Sequence, residues 1–183
     1  MHKLWQQKKK EAEAHKTNQR GSPARIRLQK ELGELETTPD LEVVATDLMH
    51  FSLIYRPQEG HYHGGEFRFK FDISESYPHE APKVLCKQTI FHPNIDPEGH
   101  ICLNILREEW NPVLNIQAVI FGLQLLFLEP NKDDPLNKDA AEMMAKDRQE
   151  FIRTVRSSMR GRSIGGIHYS NVLVAPESSY GSY

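Results

Sequence analysis

Only two cysteines, Cys86 and Cys102, occur in 183 residues. So few exclude a disulfide framework and leave free thiols in a reducing compartment, which points to cytoplasm and nucleus. No apolar run approaches the ~20 residues that a membrane-spanning helix needs. The opening Met1-His2-Lys3-Leu4-Trp5-Gln6-Gln7 lacks the apolar core of a secretory signal. Cysteine and histidine show no C-x-x-C or H-x₃-H pairing. A zinc set of Cys86, His92, His100 and Cys102 is therefore weakly supported, and no metal is expected. Histidine is scarce after Cys102: only His168 follows, between glycines and the chain end, while His92 and His100 sit in turns. A cysteine hydrolase needs a histidine base beside its thiol, so that class is disfavoured.

Length fits one domain plus ends, large enough to bury a core without disulfide or metal. The formal net charge of −2 conceals an asymmetry. Residues 1–30 hold nine Lys or Arg against two Glu, a local +7, which leaves −9 on the remaining 153. Aromatic interleaving in this basic arm stops at Trp5, so the arm reads first as a protein-docking arm and next as a solvated tail, ahead of nucleic-acid or membrane binding.

The domain reading is a flexible basic docking arm over 1–21, a core domain over 22–160 and a C-terminal tail over 161–183. Ser22-Pro23 reads as a helix cap with proline in the first turn, and Leu28, Leu32 and Leu35 follow at helical spacing, predicting a helix over 24–35. Strands are predicted at Leu41–Thr46, Phe51–Arg56, Glu66–Ile73 and Lys83–Cys86. Phe67, Phe69 and Phe71 alternate with Arg68, Lys70 and Asp72, the mark of a half-buried strand. Together these segments predict a four-stranded antiparallel meander. Residues 88–114 are turn-rich, and a long irregular stretch inside a compact domain is usually functional. Ile116–Leu128 is apolar almost all round and predicts a buried central helix. Residues 137–160, which carry Phe151, Ile152 and Val155, read as a final helical stretch of one or two helices. The fold class is α+β.

Chemistry concentrates in His92-Pro93-Asn94-Ile95-Asp96-Pro97-Glu98-Gly99-His100-Ile101-Cys102. A cysteine among Ile101, Leu103, Ile105 and Leu106 reads by itself as an inert buried residue. The turn Asp96–Gly99 feeds straight into it, which instead suits a thiol at the mouth of a loop-built site. At a pKa near ~8.5 a few per cent of such a thiol is thiolate at neutral pH, adequate for exchange with an activated thioester. Asn94 reads both as a turn residue and as an amide donor for an oxyanion, a donor typically worth ~10²–10³ in rate. His92 reads as structural. Asp134, before Pro135, reads as a turn carboxylate or as a group that orients a lysine ammonium. Trp110, Pro112, Val113 and the loop Tyr77–Lys83 read as loop packing or as a partner patch.

Several motifs occur in one order: Tyr77-Pro78 with Pro82, His92-Pro93-Asn94-Ile95, Gly99-x-Ile101-Cys102-Leu103, Trp110-x-Pro112, and Pro130-Asn131-x-Asp133-Asp134-Pro135-Leu136. Over roughly 24–160 this pattern resembles the ubiquitin-like conjugating enzymes. The resemblance implies the ubiquitin-conjugating fold and a transferase that carries a small protein modifier as a Cys102 thioester. It implies oxyanion support from Asn94, lysine positioning by Asp134, and contact with the modifier's tail at Asn104 and Asn131. It further implies activating-enzyme docking through Arg25, Arg27 and Lys30, and ligase docking through His79, Pro82, Trp110, Pro112 and Val113. Cys102-Leu103-Asn104-Ile105-Leu106-Arg107-Glu108-Glu109-Trp110 and the arm with Leu4 and Trp5 are similar to the neddylation branch. That branch implies a Nedd-type modifier, a heterodimeric activating enzyme that uses the ATP and takes Leu4 and Trp5 of the arm into a groove, a RING-type ligase and a cullin substrate. No cofactor bound to this chain and no second copy of it are expected. Two features depart from the pattern: His2 replaces a more usual aliphatic residue, and His79 an aromatic or apolar one. The alternatives are the same chemistry with ubiquitin, and a catalytically silent binding module on this fold.

Overall fold

The computed structural model describes residues 21–35, 38–45 and 47–174. Helix α1 spans Pro23–Gly33 and starts where the cap signals place it: Ser22 Oγ accepts from the Arg25 amide at 3.3 Å, and Pro23 occupies the first turn. Ala24 and Leu28, one turn apart, are fully buried, while Leu32 and Leu35 pack at the margin of the core. The strands β1 (Leu41–Ala45), β2 (His50–Tyr55), β3 (Phe67–Asp72) and β4 (Lys83–Cys86) form an antiparallel sheet in the order β1-β2-β3-β4, the predicted meander. Register places Phe51 opposite Phe71, Leu53 opposite Phe69 and Tyr55 opposite Phe67. With period two, these residues share the inward face, and Phe67, Phe69 and Phe71 are all fully buried.

Helix α2 (Ile116–Leu128) lies across that face. Asn115 caps it through the Ala118 amide at 2.9 Å. Phe127 anchors it among Phe67 (ring centroids 4.7 Å apart), Tyr62 (5.1 Å) and His92 (5.1 Å). The expected all-round burial holds on one face only. Phe121, Leu125 and Leu128 are exposed along the other, because α2 has the sheet on one side and an open groove on the other.

The last helical stretch is two helices, α3 (Lys138–Lys146) and α4 (Arg148–Ser158). Asp147 leaves helical geometry at φ −144° and caps α4 through the Glu150 amide at 2.9 Å. Phe151 and Val155 are buried in α4, while Ile152 is half-buried.

The chain does not leave the body at 161. Strands β5 (Ser163–Ile164) and β6 (Ile167–His168) form a small hairpin whose turn uses Gly165 and Gly166 at positive φ. Beyond it, Tyr169 and Val172 join the core. Backbone bonds from Glu66 N to Val172 O (2.8 Å) and from Val174 N to Gly64 O (3.1 Å) fasten the strap. The packed body therefore runs through Val174, because Tyr169 and Val172 are buried in it and Ile164 and Ile167 pack at its margin. Among the described residues no helix is long and apolar enough to cross a membrane.

Candidate active site

The loop that carries Cys102 is shaped by a glycine. Gly99 has φ +92°, and a Cβ there would lie 2.0 Å from the Cys86 carbonyl oxygen. Only glycine lets this turn press against the end of β4, where the Cys86 amide donates to Gly99 O at 2.9 Å. His100 closes the turn, its amide donating to Asp96 Oδ1 at 2.8 Å. The chain then runs back beside residues 92–95, and the Cys102 amide donates to Asn94 O at 2.8 Å.

His92 holds the other side of that pairing. It is fully buried and stacked on Tyr62. Its Nδ1 accepts from the Asn94 amide at 3.0 Å, which assigns the proton to Nε2, the donor to Leu126 O at 3.1 Å. Burial lowers its pKa to about 3, so the ring is neutral at working pH. Both nitrogens are occupied. His92 is therefore neither a general base nor a free metal ligand, and the conceivable zinc set does not assemble.

Asn94 is 1% exposed. Its Oδ1 accepts from the Asn131 amide at 2.8 Å, and its Nδ2 donates to Asn131 O at 2.7 Å and to Asp134 O at 3.5 Å. The side chain expected to face an oxyanion is thus engaged with the 131–134 loop in the resting enzyme. Pro93 O adds to the tether by accepting from the Leu136 and Asn137 amides, each at 2.9 Å. His92-Pro93-Asn94 acts as a brace that sets α2, the 131–137 loop and Cys102 in fixed relation.

That brace brings Asp134 to the thiol. Cys102 Sγ donates to Asp134 Oδ2 at 3.1 Å. Cys102 is 7% exposed, and burial first, then the Asp134 bond and the Asp134 and Glu108 charges, hold its pKa above the ordinary value, with Arg107 pulling the other way. The resting site is a protonated thiol with a carboxylate partner. Among the described residues no histidine touches it, which removes the hydrolase reading. Cys86 lies away from this chemistry: burial pushes its thiol to about 11, and its Sγ donates to Gln88 O.

From Cys102 a groove of about 510 Å³ runs along α2, lined by Leu103, Ile105, Phe121 and Leu125 with Asn104, Glu109, Glu129 and Asn131 at its polar margins. Both residues predicted to touch a modifier tail, Asn104 and Asn131, therefore border it. The 3₁₀ turn Asn104–Leu106 packs against α2 at Gly122, where a Cβ would lie 2.9 Å from Ile105 Cδ1. Phe121 and Leu125 went unread in the sequence, since an all-apolar run gives no periodic signal for which face stays open.

The predicted docking residues divide. Leu4 and Trp5 lie outside the described residues. On α1, Arg25 pairs with Glu75 at 3.0 Å and Lys30 projects into solvent near Glu34. Arg27 instead turns inward, bonding Glu31 at 2.6 Å and Leu114 O at 2.8 Å. Ile26, unremarked in the sequence, is the exposed apolar residue of this helix. On the ligase side, His79, Pro112 and Val113 are exposed, Val113 at 88%. Pro82 is buried, and Trp110 is half-buried with its Nε1 donating to Pro78 O at 2.9 Å, so these two hold the surface together from beneath.

A thiol fed by a glycine turn, a carboxylate beside it, an apolar groove along a central helix and a four-stranded meander define a thioester-carrying transferase of the ubiquitin-like conjugating class. Residues 27–159 match the family described as ubiquitin-conjugating enzyme, to which the chain belongs. It is 50% identical over 178 residues to the NEDD8-conjugating enzyme UBC12 of Yarrowia lipolytica, covering 95% of this chain and 99% of that one. It is 47% identical to NEDD8-conjugating enzyme ubc12 of Schizosaccharomyces pombe, covering 94% and 99%. Among solved structures, Saccharomyces cerevisiae Ubc12 superposes with a TM-score of 0.82 at 43% identity, covering 94% of this chain and all of the other.

Proposed function

We propose that this enzyme accepts a Nedd-type modifier from its activating enzyme and, with a RING-type ligase, delivers it to a lysine, on cullins by analogy with the neddylation branch. The observation that carries the chemistry is the Cys102–Asp134 contact at the head of the α2 groove. Near 50% identity to NEDD8-conjugating enzymes supports the choice of modifier.

In loading, Cys102 Sγ attacks the thioester carbonyl presented by the activating enzyme. The new S–C bond forms as the old one breaks, and the displaced cysteine takes up the thiol proton. Sγ then has no hydrogen left to donate, so Asp134 Oδ2 is released to face an incoming lysine. A carboxylate there orients the ammonium but favours its charged form, and the apolar groove walls oppose that by excluding water. The ammonium first gives up one proton, through Asp134 Oδ2 to solvent; as the resulting amine attacks, the C–S bond breaks, an isopeptide bond forms, and the second proton shed by nitrogen goes to Sγ. ATP is consumed by the activating enzyme, with work in cytoplasm and nucleus.

Deletion of residues 1–21 tests the branch. A neddylation enzyme loses loading efficiency with the Nedd activating enzyme, since two apolar anchors on a tether add affinity through linked binding. Unchanged loading favours the ubiquitin reading.

A further inference from the structure

Glu31 takes no part in thioester chemistry, yet its carboxylate joins three separate parts of the chain. Arg27 Nε donates to Oε1 at 2.6 Å. The Tyr77 hydroxyl donates to Oε2 at 2.6 Å, and the Ile116 amide, at the start of α2, donates to the same oxygen at 3.0 Å. The side chain is 11% exposed. Arg27 extends the contact through Leu114 O and lies 5.5 Å from the centroid of the Tyr77 ring. Trp110 completes it, packing on Tyr77 and donating to Pro78 O.

These partners are the roots of two surface loops. One runs from Tyr77 through the exposed His79; the other runs from Trp110 through the exposed Pro112 and Val113 to Asn115. The second loop needs no help from Glu31 to start α2, because Asn115 already caps that helix. What Glu31 adds is a bond to both loops at once.

We propose that Glu31 is a positioning residue for ligase recognition: by holding Arg27, Tyr77 and the Ile116 amide together, it fixes the spacing between the loop carrying His79 and the loop carrying Pro112 and Val113. The proposal rests on the conjugating-enzyme reading. All three partners are donors, and only a carboxylate offers acceptors alone. Glu31→Gln keeps the volume but turns an NH₂ group against at least one donor, a mismatch more costly than a missing bond.

The test is a titration. Wild type, Glu31→Gln and Tyr77→Phe are loaded with the Nedd-type modifier, and discharge is followed against the concentration of a purified RING-domain ligase active with that modifier. Glu31→Gln should need about tenfold more ligase for half-maximal stimulation, with the rate at saturating ligase within about twofold of wild type (tenfold is ~1.4 kcal/mol). Tyr77→Phe, which removes one donor, should shift the same way by less, and it decides the matter if Glu31→Gln does not fold. A wild-type half-saturation in both variants, with losses confined to melting temperature, overturns the proposal and leaves Glu31 merely structural. If wild type does not load the Nedd-type modifier at all, it is the functional reading that fails. The titration then runs with ubiquitin and a ubiquitin-active RING ligase, where the same shift is required.

Discussion

Replacing Asn94 with alanine separates two roles that the sequence leaves together. The side chain makes two short bonds to Asn131, at 2.8 and 2.7 Å, and a long one to Asp134 O at 3.5 Å. At ~0.5–1.5 kcal/mol each, the two short bonds contribute about 1–3 kcal/mol. Asn131 is exposed, so water can satisfy part of what is lost, and about 2 kcal/mol is a reasonable centre. In a body of this size that corresponds to a fall of about 4–8 °C in melting temperature. The catalytic effect follows from the same bonds. Without the Asn94 bonds the 131–134 segment is held only from its far end, where Pro93 O accepts from the Leu136 and Asn137 amides; Asp134 is then less firmly placed beside the thiol, and a misplacement of about 1 Å can cost ~10² in rate. Loading should be largely retained, because Asp134 is not required to receive an activated thioester. The assay is single-turnover discharge of preloaded enzyme to lysine for Asn94→Ala, Asp134→Ala and the double variant. If Asn94 acts through the loop, the double variant is no slower than the slower single, the non-additivity expected of groups that act as a unit. An unchanged melting temperature with multiplicative losses would refute this reasoning and place Asn94 directly at the oxyanion.

Two pH-dependent outcomes follow from the same site. Asp134 helps to hold the Cys102 thiol above its ordinary pKa, so Asp134→Asn should move the pH profile of Cys102 alkylation by iodoacetamide to lower pH, and Arg107→Gln should move it higher; shifts of the opposite sign, read by site-resolved mass spectrometry, would contradict the electrostatic assignment. His92 is buried neutral, with a pKa lowered to about 3. Its unfolded counterpart takes a proton below about 6.5, so the stability it supports is complete above that pH and falls with acidity, by about 2 kcal/mol at pH 5. Denaturant midpoints at pH 7.5 and 5 for wild type and His92→Gln should show a smaller acid loss in the variant.

What could be read along the chain was whatever local chemistry controls. Ser22-Pro23 starts α1 within a residue of the expected position, and the alternation at Phe67, Phe69 and Phe71 gives both the strand and its buried face. Cys102 was legible because its turn is local: Asp96 and Gly99 lie within six residues of it. The remainder depends on contacts between distant segments. Asn94 reaches Asn131 across 37 positions, which no spacing rule reveals. Arg27 looks like a surface cation because it falls off the leucine stripe of α1, yet Leu114 and Tyr77 fold in beside it. Pro82 sits in a loop sequence that looks exposed but closes over the core. Tyr169 and the short run Val172-Leu173-Val174 show neither helical nor alternating spacing, so the strap they anchor reads as a tail until the body provides the cavity that Tyr169 and Val172 fill.

Cys102 is proposed to carry a Nedd-type modifier. The most direct measurement mixes the protein with ATP and either the neddylation or the ubiquitin activating enzyme and its modifier, and resolves the products with and without reductant. The predicted result is a reductant-sensitive adduct with the Nedd-type modifier, absent in Cys102→Ala and absent with ubiquitin. An adduct with ubiquitin alone would keep the chemistry and contradict the assignment of modifier, whereas no adduct with either would contradict the thioester itself.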